Sequence, residues 1–140
     1  MRQLIIARKD LNLSPGKLAA QVSQASMAFL SNWIRNHMSY DGQVIGHIDE
    51  YTMEWINGVF TKTVCEAKNK FQLMKAVTKA QELGLREGED FFLIKDNCLT
   101  ELEPEEVDEN GVGRTLTCIG FRPLPDDIAH EISRKYQLYK

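Results

Sequence analysis

The sequence predicts an α/β fold, a single three-layer domain over residues 1–140 with a four-stranded mixed β-sheet and helices on both faces. Three observations carry that expectation. Leu4-Ile5-Ile6-Ala7 and Phe91-Phe92-Leu93-Ile94 are continuous apolar runs too short for helices, as in strands covered on both sides. Apolar residues at helical spacing (Leu18, Val22, Ala25, Phe29 and then Leu73, Val77, Ala80) lie between these runs. The resulting order is strand, helix, strand, helix, strand, strand, helix, which buries a mixed sheet between helices.

Taken in order, Leu4–Ala7 reads as the first and central strand. Ser14 is placed to cap a helix that opens on Pro15, where the missing N–H of proline costs nothing. The apolar stripe of that helix runs toward Trp33. Residues 36–50, with Asp41-Gly42 and Gly46, have no sustained period and read as a loop before a short helix near Glu50 to Ile56. Residues 59–65 follow Gly58 and are rich in β-branched side chains, so they are expected to form the second strand. Asn69 caps the next helix, and Gly84 ends it. Phe91–Ile94 makes the third strand. After the Asn110-Gly111 and Gly113 turn, the alternating residues 115–121 make the fourth. Pro125-Asp126-Asp127 begins a last short helix with acids in its first turn and Ile128 and Ile132 facing inward.

Composition narrows the function classes. With 43% apolar and 26% charged residues the chain is that of a folded globule. No apolar run approaches the roughly 20 residues of a membrane helix, and the first residues are apolar for only four positions, so neither a membrane partner nor a secretory leader is expected. Cys65, Cys98 and Cys118 are odd in number and lack zinc spacing. They indicate no structural metal site, and a reducing, cytoplasmic setting fits them. The net charge of −3 at first disfavours nucleic acid. Six of the 20 acids, however, crowd into residues 101–109 (Glu101, Glu103, Glu105, Glu106, Asp108, Glu109). Elsewhere 17 basic residues face 14 acids, so local charge admits an RNA partner.

Common catalytic signatures are missing. A phosphate-binding loop around Gly16-Lys17 would need glycine where Leu11 stands and a hydroxyl where Leu18 stands. There is no G-x-S-x-G and no H-E-x-x-H, and His37, His47 and His130 are scattered. The opening of the first helix is the notable feature. At 100° per residue, Gln21 lies about 40° and Gln24 about 20° around the axis from Lys17, so the three form one polar stripe beside small alanines. They stand at a helix N-terminus, where backbone donors favour an anion.

Gly16-Lys17-Leu18-Ala19-Ala20-Gln21, ending at Ala25 and following Asp10-Leu11, resembles the signature of the type 2 peptidyl-tRNA hydrolase family. Similarity extends along nearly the whole chain. Residues 96–104, Asp96-Asn97-Cys98-Leu99-Thr100-Glu101-Leu102-Glu103-Pro104, resemble the family's D-A-G-x-T-x-[IL]-x-P segment. Thr115-Leu116-Thr117, with Gly120 and Pro123, resembles its closing T-x-T strand and G-P. The chain departs from the pattern at Gln24, where the family has histidine, and at Asn97-Cys98, where it has A-G. Residues 33–50 and the stretch after Pro104 are longer than in the pattern.

The resemblance implies hydrolysis of the ester between a peptide and the terminal ribose of tRNA, without a cofactor. The implied catalytic residues are Asp96, to orient or deprotonate water, Lys17, to hold Asp96 or a phosphate, and Thr100, to offer a hydroxyl to the ester. Gln21, Gln24, Thr115, Arg8 and Arg114 would bind substrate, with Lys9 and Lys95 adding charge toward tRNA phosphates. Two readings stay open for several of these. Asp96 can equally cap a turn, and Thr100 and Thr115 are equally at home as β-branched structural residues. An RNA- or protein-binding module on the same fold competes with the enzyme, given Gln24. The expected partners are tRNA carrying a peptide and a second copy of the chain. Trp33, Met38, Tyr40, Trp55, Tyr136, Leu138 and Tyr139 supply large side chains either for a homodimer interface or for a satellite core.

Overall fold

The computed structural model describes residues 1–140. The elements are β1 (Gln3–Arg8), α1 (Pro15–His37), α2 (Glu50–Asn57), β2 (Lys62–Ala67), α3 (Lys70–Glu82), β3 (Phe91–Asp96), β4 (Glu106–Val107), β5 (Gly113–Phe121), α4 (Asp126–Ser133) and β6 (Gln137–Leu138). The α/β class and the mixed sheet hold, but the sheet has six strands rather than four, in the order β3-β5-β1-β2-β6 with β4 on β5. The two additional strands, β4 and β6, have two residues each, too few to carry a hydrophobic period. Their pairing partners, Arg114 and Gly113 for β4 and Cys65 and Glu66 for β6, make them strands.

β1 is central and buried along its length, parallel to β2 and antiparallel to β5. Successive side chains of a strand alternate in direction, and its apolar residues divide accordingly. Leu4 and Ile6 pack with Leu73, Ala76, Val77 and Ala80 of α3 and with Ala129 and Ile132 of α4. Ile5 and Ala7 pack with Ala25 of α1 and Cys118 of β5. Each of these large apolar side chains contributes about 1.5–3 kcal/mol by burial. No helix is long and apolar enough to cross a membrane.

Local signals placed the helices well. The Ser14 side chain accepts from Lys17 N with Pro15 in the first turn, Asn69 accepts from Gln72 N, and Gly84 takes φ +84° after α3. The second strand is shifted: it begins at Lys62, not Val59. Val59 is exposed and Phe60 adopts φ +61° with its ring against Trp55 at 4.2 Å, so the chain is still turning there. β-Branched composition alone did not register that turn. Ile132 is buried and Ile128 partly so, as the helix pattern requires.

One glycine positions the site. A Cβ at Gly120 would lie 2.1 Å from the carbonyl oxygen of Ala25, so the α1 backbone rests directly on β5. That contact brings the Gln21 turn of α1 against Thr117 and Cys118, where the Cys118 thiol donates to Gln21 O at 3.5 Å.

Candidate active site

Asp96 is the last residue of β3 and pairs in register with Thr115 of β5. Lys17 and Gln21 stand one helical turn apart at the start of α1, which crosses the same strand ends. Lys17 and Gln21, 79 and 75 positions from Asp96 in sequence, meet at its carboxylate. Lys17 Nζ donates to Asp96 Oδ1 at 2.8 Å, and Gln21 Nε2 donates to the same oxygen at 3.2 Å. The N–H of Cys98 donates to Oδ2 at 2.9 Å, so Asp96 closes a turn and holds Lys17 at once.

Burial pushes the Asp96 carboxyl up, but Lys17, by hydrogen bond and charge, and the N–H groups of Cys98 and Asn97 outweigh it and hold it below the ordinary aspartate value. Asp96 is therefore ionised at neutral pH. Behind it, the Gln21 carbonyl accepts from the Thr117 hydroxyl at 2.6 Å. In the sequence Thr117 stands out only as part of a strand pattern, and its place in the alternation of β5 is the signal that singles it out.

The remaining predicted residues separate into two groups. Gln24 and Thr100 are exposed, Gln24 on the Lys17 side of α1 and Thr100 on the loop after β3. Thr115 is buried, and its hydroxyl donates to Glu103 O at 2.6 Å and accepts from Glu105 N at 3.1 Å, fastening the acidic segment to β5. Arg8 is only 3% exposed. Its guanidinium donates to Asp10, to Glu105 at 2.6 and 2.9 Å and to Leu116 O, which makes it a brace for the acidic segment. Arg114 is paired with Asp108 and reaches Asn97, while Lys95 is paired with Glu106. The acids that masked the chain's local positive charge in the sequence thus neutralise in space Arg8, Arg114 and Lys95, but not Lys9 or Lys17, among the bases assigned to RNA.

Glu101 was read only as one acid of that segment. Its carboxylate accepts from the backbone N–H of Ser14 and from the Ser14 hydroxyl, placing an internal anion at the N-terminus of α1. The Ser14 bonds hold the Glu101 carboxyl below its ordinary value. No local signal could have linked residues 87 positions apart. Cys98, at the family's glycine position, has φ +60°, a left-handed conformation that costs a non-glycine residue about 1 kcal/mol. That conformation aims its N–H at Asp96. Nowhere do three His, Cys, Asp or Glu side chains converge as metal ligands.

Comparison with known proteins follows the same residues end to end. The family model described as "Peptidyl-tRNA hydrolase PTH2" matches residues 1–139. A peptidyl-tRNA hydrolase of Methanopyrus kandleri is 37% identical over 123 residues, which cover 87% of this chain and 84% of that protein. One of Sulfolobus acidocaldarius is 27% identical over 138 residues and 99% of both chains. A third, of Saccharolobus islandicus, is 26% identical over 138 residues, 99% of this chain and 98% of its own. With a match over essentially its full length, the chain belongs to the peptidyl-tRNA hydrolase PTH2 family.

Proposed function

We propose that this chain hydrolyses the ester joining a peptide to the terminal ribose of tRNA, with Asp96, Lys17 and Thr100 as the catalytic residues. The observation that carries the reading is the ionised Asp96 held between Lys17 and Gln21, in a chain that matches the family throughout. In the reaction a water oxygen bonds to the acyl carbon and the bond to the ribose oxygen breaks. The peptide leaves as a carboxylate and the tRNA recovers its hydroxyl. A carboxylate held below its ordinary pKa is a weak base, so Asp96 acts first by orienting the water. Lys17 has three N–H donors and commits one to Asp96, leaving two for a phosphate or the developing oxyanion. Thr100 and Gln24 present exposed polar groups to the ester and ribose. Arg8 and Thr115 act on substrate only indirectly in this reading, by holding the acidic segment in place.

The same reading covers four finer points. The two core clusters are taken as the two interfaces of a three-layer, single-domain fold. The chain works in the cytoplasm, where translation supplies peptidyl-tRNA. tRNA phosphates are bound electrostatically, so affinity falls with added salt. The chain forms a homodimer through Met38, Tyr40 and the neighbouring exposed side chains Val44 and Ile45. Trp55, buried with its indole N–H on Thr61 O, belongs instead to the interior of one chain.

The direct test is release of N-blocked aminoacyl groups from tRNA by the purified protein, with and without chelator. Release above the spontaneous rate, unchanged by chelator, is expected. A folded sample that does not exceed the spontaneous rate overturns the enzyme, and tRNA retained on a filter by such a sample would mark binding without turnover. For the dimer, light scattering at micromolar concentration should show twice 16.0 kDa, and a 16.0 kDa species would remove it.

A further inference from the structure

We infer that Thr117 is a positioning residue for Asp96, acting through the Gln21 side-chain amide. The inference rests on the site proposed above and assigns that site a part beyond the groups that reach substrate.

Gln21 is 3% exposed and Thr117 is 1% exposed. A primary amide at that depth needs partners at both ends, since each unpaired polar group in an apolar interior is costly. The Gln21 nitrogen has Asp96 Oδ1 at 3.2 Å and its oxygen has the Thr117 hydroxyl at 2.6 Å. Thr117 has a single hydroxyl proton and two acceptors within reach, Gln21 Oε1 at 2.6 Å and Ile94 O at 3.1 Å. The shorter contact takes the proton. That bond pins the carbonyl end of the amide to β5 and so turns its NH2 end toward Asp96. Reversed, the amide would set its oxygen against the ionised carboxylate, which the charge forbids. The close seat of α1 on Gly120 keeps helix and strand near enough for the relay to span them.

The charged or titratable groups near Asp96 are Lys17 from α1, Glu101, drawn to Ser14 beside Lys17, and the Cys98 thiol, which lies on the Asp96 backbone carbonyl at 3.5 Å while the Cys98 N–H binds the carboxylate. Arg114 of β5 pairs with Asp108 and reaches Asn97, not Asp96. Thr117 touches none of these charges. A change in Asp96 on removing the Thr117 hydroxyl therefore travels through Gln21.

The test is a double-mutant cycle read by carbon-13 NMR titration of the Asp96 carboxyl and by pH–rate profiles. Thr117→Val removes the hydroxyl at nearly constant volume. Without the pin the amide no longer favours the charged carboxylate, so Asp96 titrates at higher pH and the acid limb of the rate profile moves up with it. The rate constant kcat is expected to fall about ten- to a hundredfold, the scale of a small misplacement, with KM little changed. Thr117→Ser, which keeps the hydroxyl, restores both. Gln21→Met produces the same rise in the Asp96 titration, and Thr117→Val adds nothing further in that background. Thr117→Ala carries the same arms if the valine variant does not fold. An unchanged Asp96 titration in the hydroxyl-less variant, or full additivity with Gln21→Met, overturns the inference. The NMR arm needs no turnover, so a parent protein inactive on tRNA esters would overturn the proposed function while leaving this relay to be judged on its own titration.

Discussion

Two lysine–carboxylate pairs in this molecule have the same length and different surroundings. Lys17–Asp96 and Lys95–Glu106 both span 2.8 Å, but their side chains are 17% and 11% exposed in the first and 41% and 38% in the second. Coulomb's law at equal distance makes them equal only if the medium is equal. Around Lys95–Glu106 water competes for both charges, and such a pair adds little to stability. Asp96 has lost most of that water and received in its place three fixed donors, from Lys17, Gln21 and the Cys98 N–H. Distance does not distinguish the two pairs; desolvation with fixed donors on both carboxylate oxygens does. Arg8 stands between the two cases, itself buried but paired to Asp10 and Glu105, which are each 35% exposed.

The sharpest way to break the contrast is Asp96→Asn. It keeps the shape and removes the charge, and it should lower the hydrolysis rate roughly a hundredfold or more with an unchanged circular dichroism spectrum. A rate equal to the parent would reduce Asp96 to a turn cap and put its pair on a level with Lys95–Glu106. Next in size is Arg8→Met, which leaves Glu105 without its main partner. Breaking a buried pair costs about 3–5 kcal/mol; with the carboxylates a third exposed, about 2 kcal/mol is expected, read as a lower urea midpoint.

Acid sharpens the same comparison. Asp96 and Glu105 both have carboxyls held below their ordinary values, Glu105 chiefly by its bond to Arg8 against the opposing effect of burial. A carboxylate of that kind stabilises the fold fully above its unfolded value, near 4, and loses the contribution as pH falls through its lower folded value. The melting temperature should thus drop from pH 5 toward pH 2, and less steeply in Arg8→Met, where Glu105 is already near its unfolded behaviour. Equal slopes would show that Arg8 does not hold Glu105. The smallest effect belongs to the exposed pair. Glu106→Gln should leave the urea midpoint essentially where it is in the parent, and a clear fall would mean that the β4 segment is a structural brace.

What could be read from residues alone was local or already patterned. The apolar run of β1, the cap at Ser14 with Pro15, the Asn69 cap and the glycine after α3 each depend on neighbours within a few positions, and all appear in the fold. The boundary of β2 failed because a turn at Phe60 overrode β-branched composition. At the site, Lys17, Gln21 and Asp96 were legible through spacing on one helix and a family pattern. Thr117 was legible only as an alternating strand position, and Glu101 and Arg8 were assigned the wrong company because charge was counted along the chain and not across space.

The sequence by itself determined the α/β class, the helix ends and the residue types available for ester chemistry, because helix and strand periods and caps act over a few residues. The tertiary structure alone decided which bases are free and which are braced, that Glu101 occupies the N-terminus of α1, and that Thr117 stands behind Gln21. The longest of those relations join positions separated by 75 to 97 residues. Their strength depends on burial, and burial exists only once α1 has settled on Gly120 and the acidic segment has folded back onto β5.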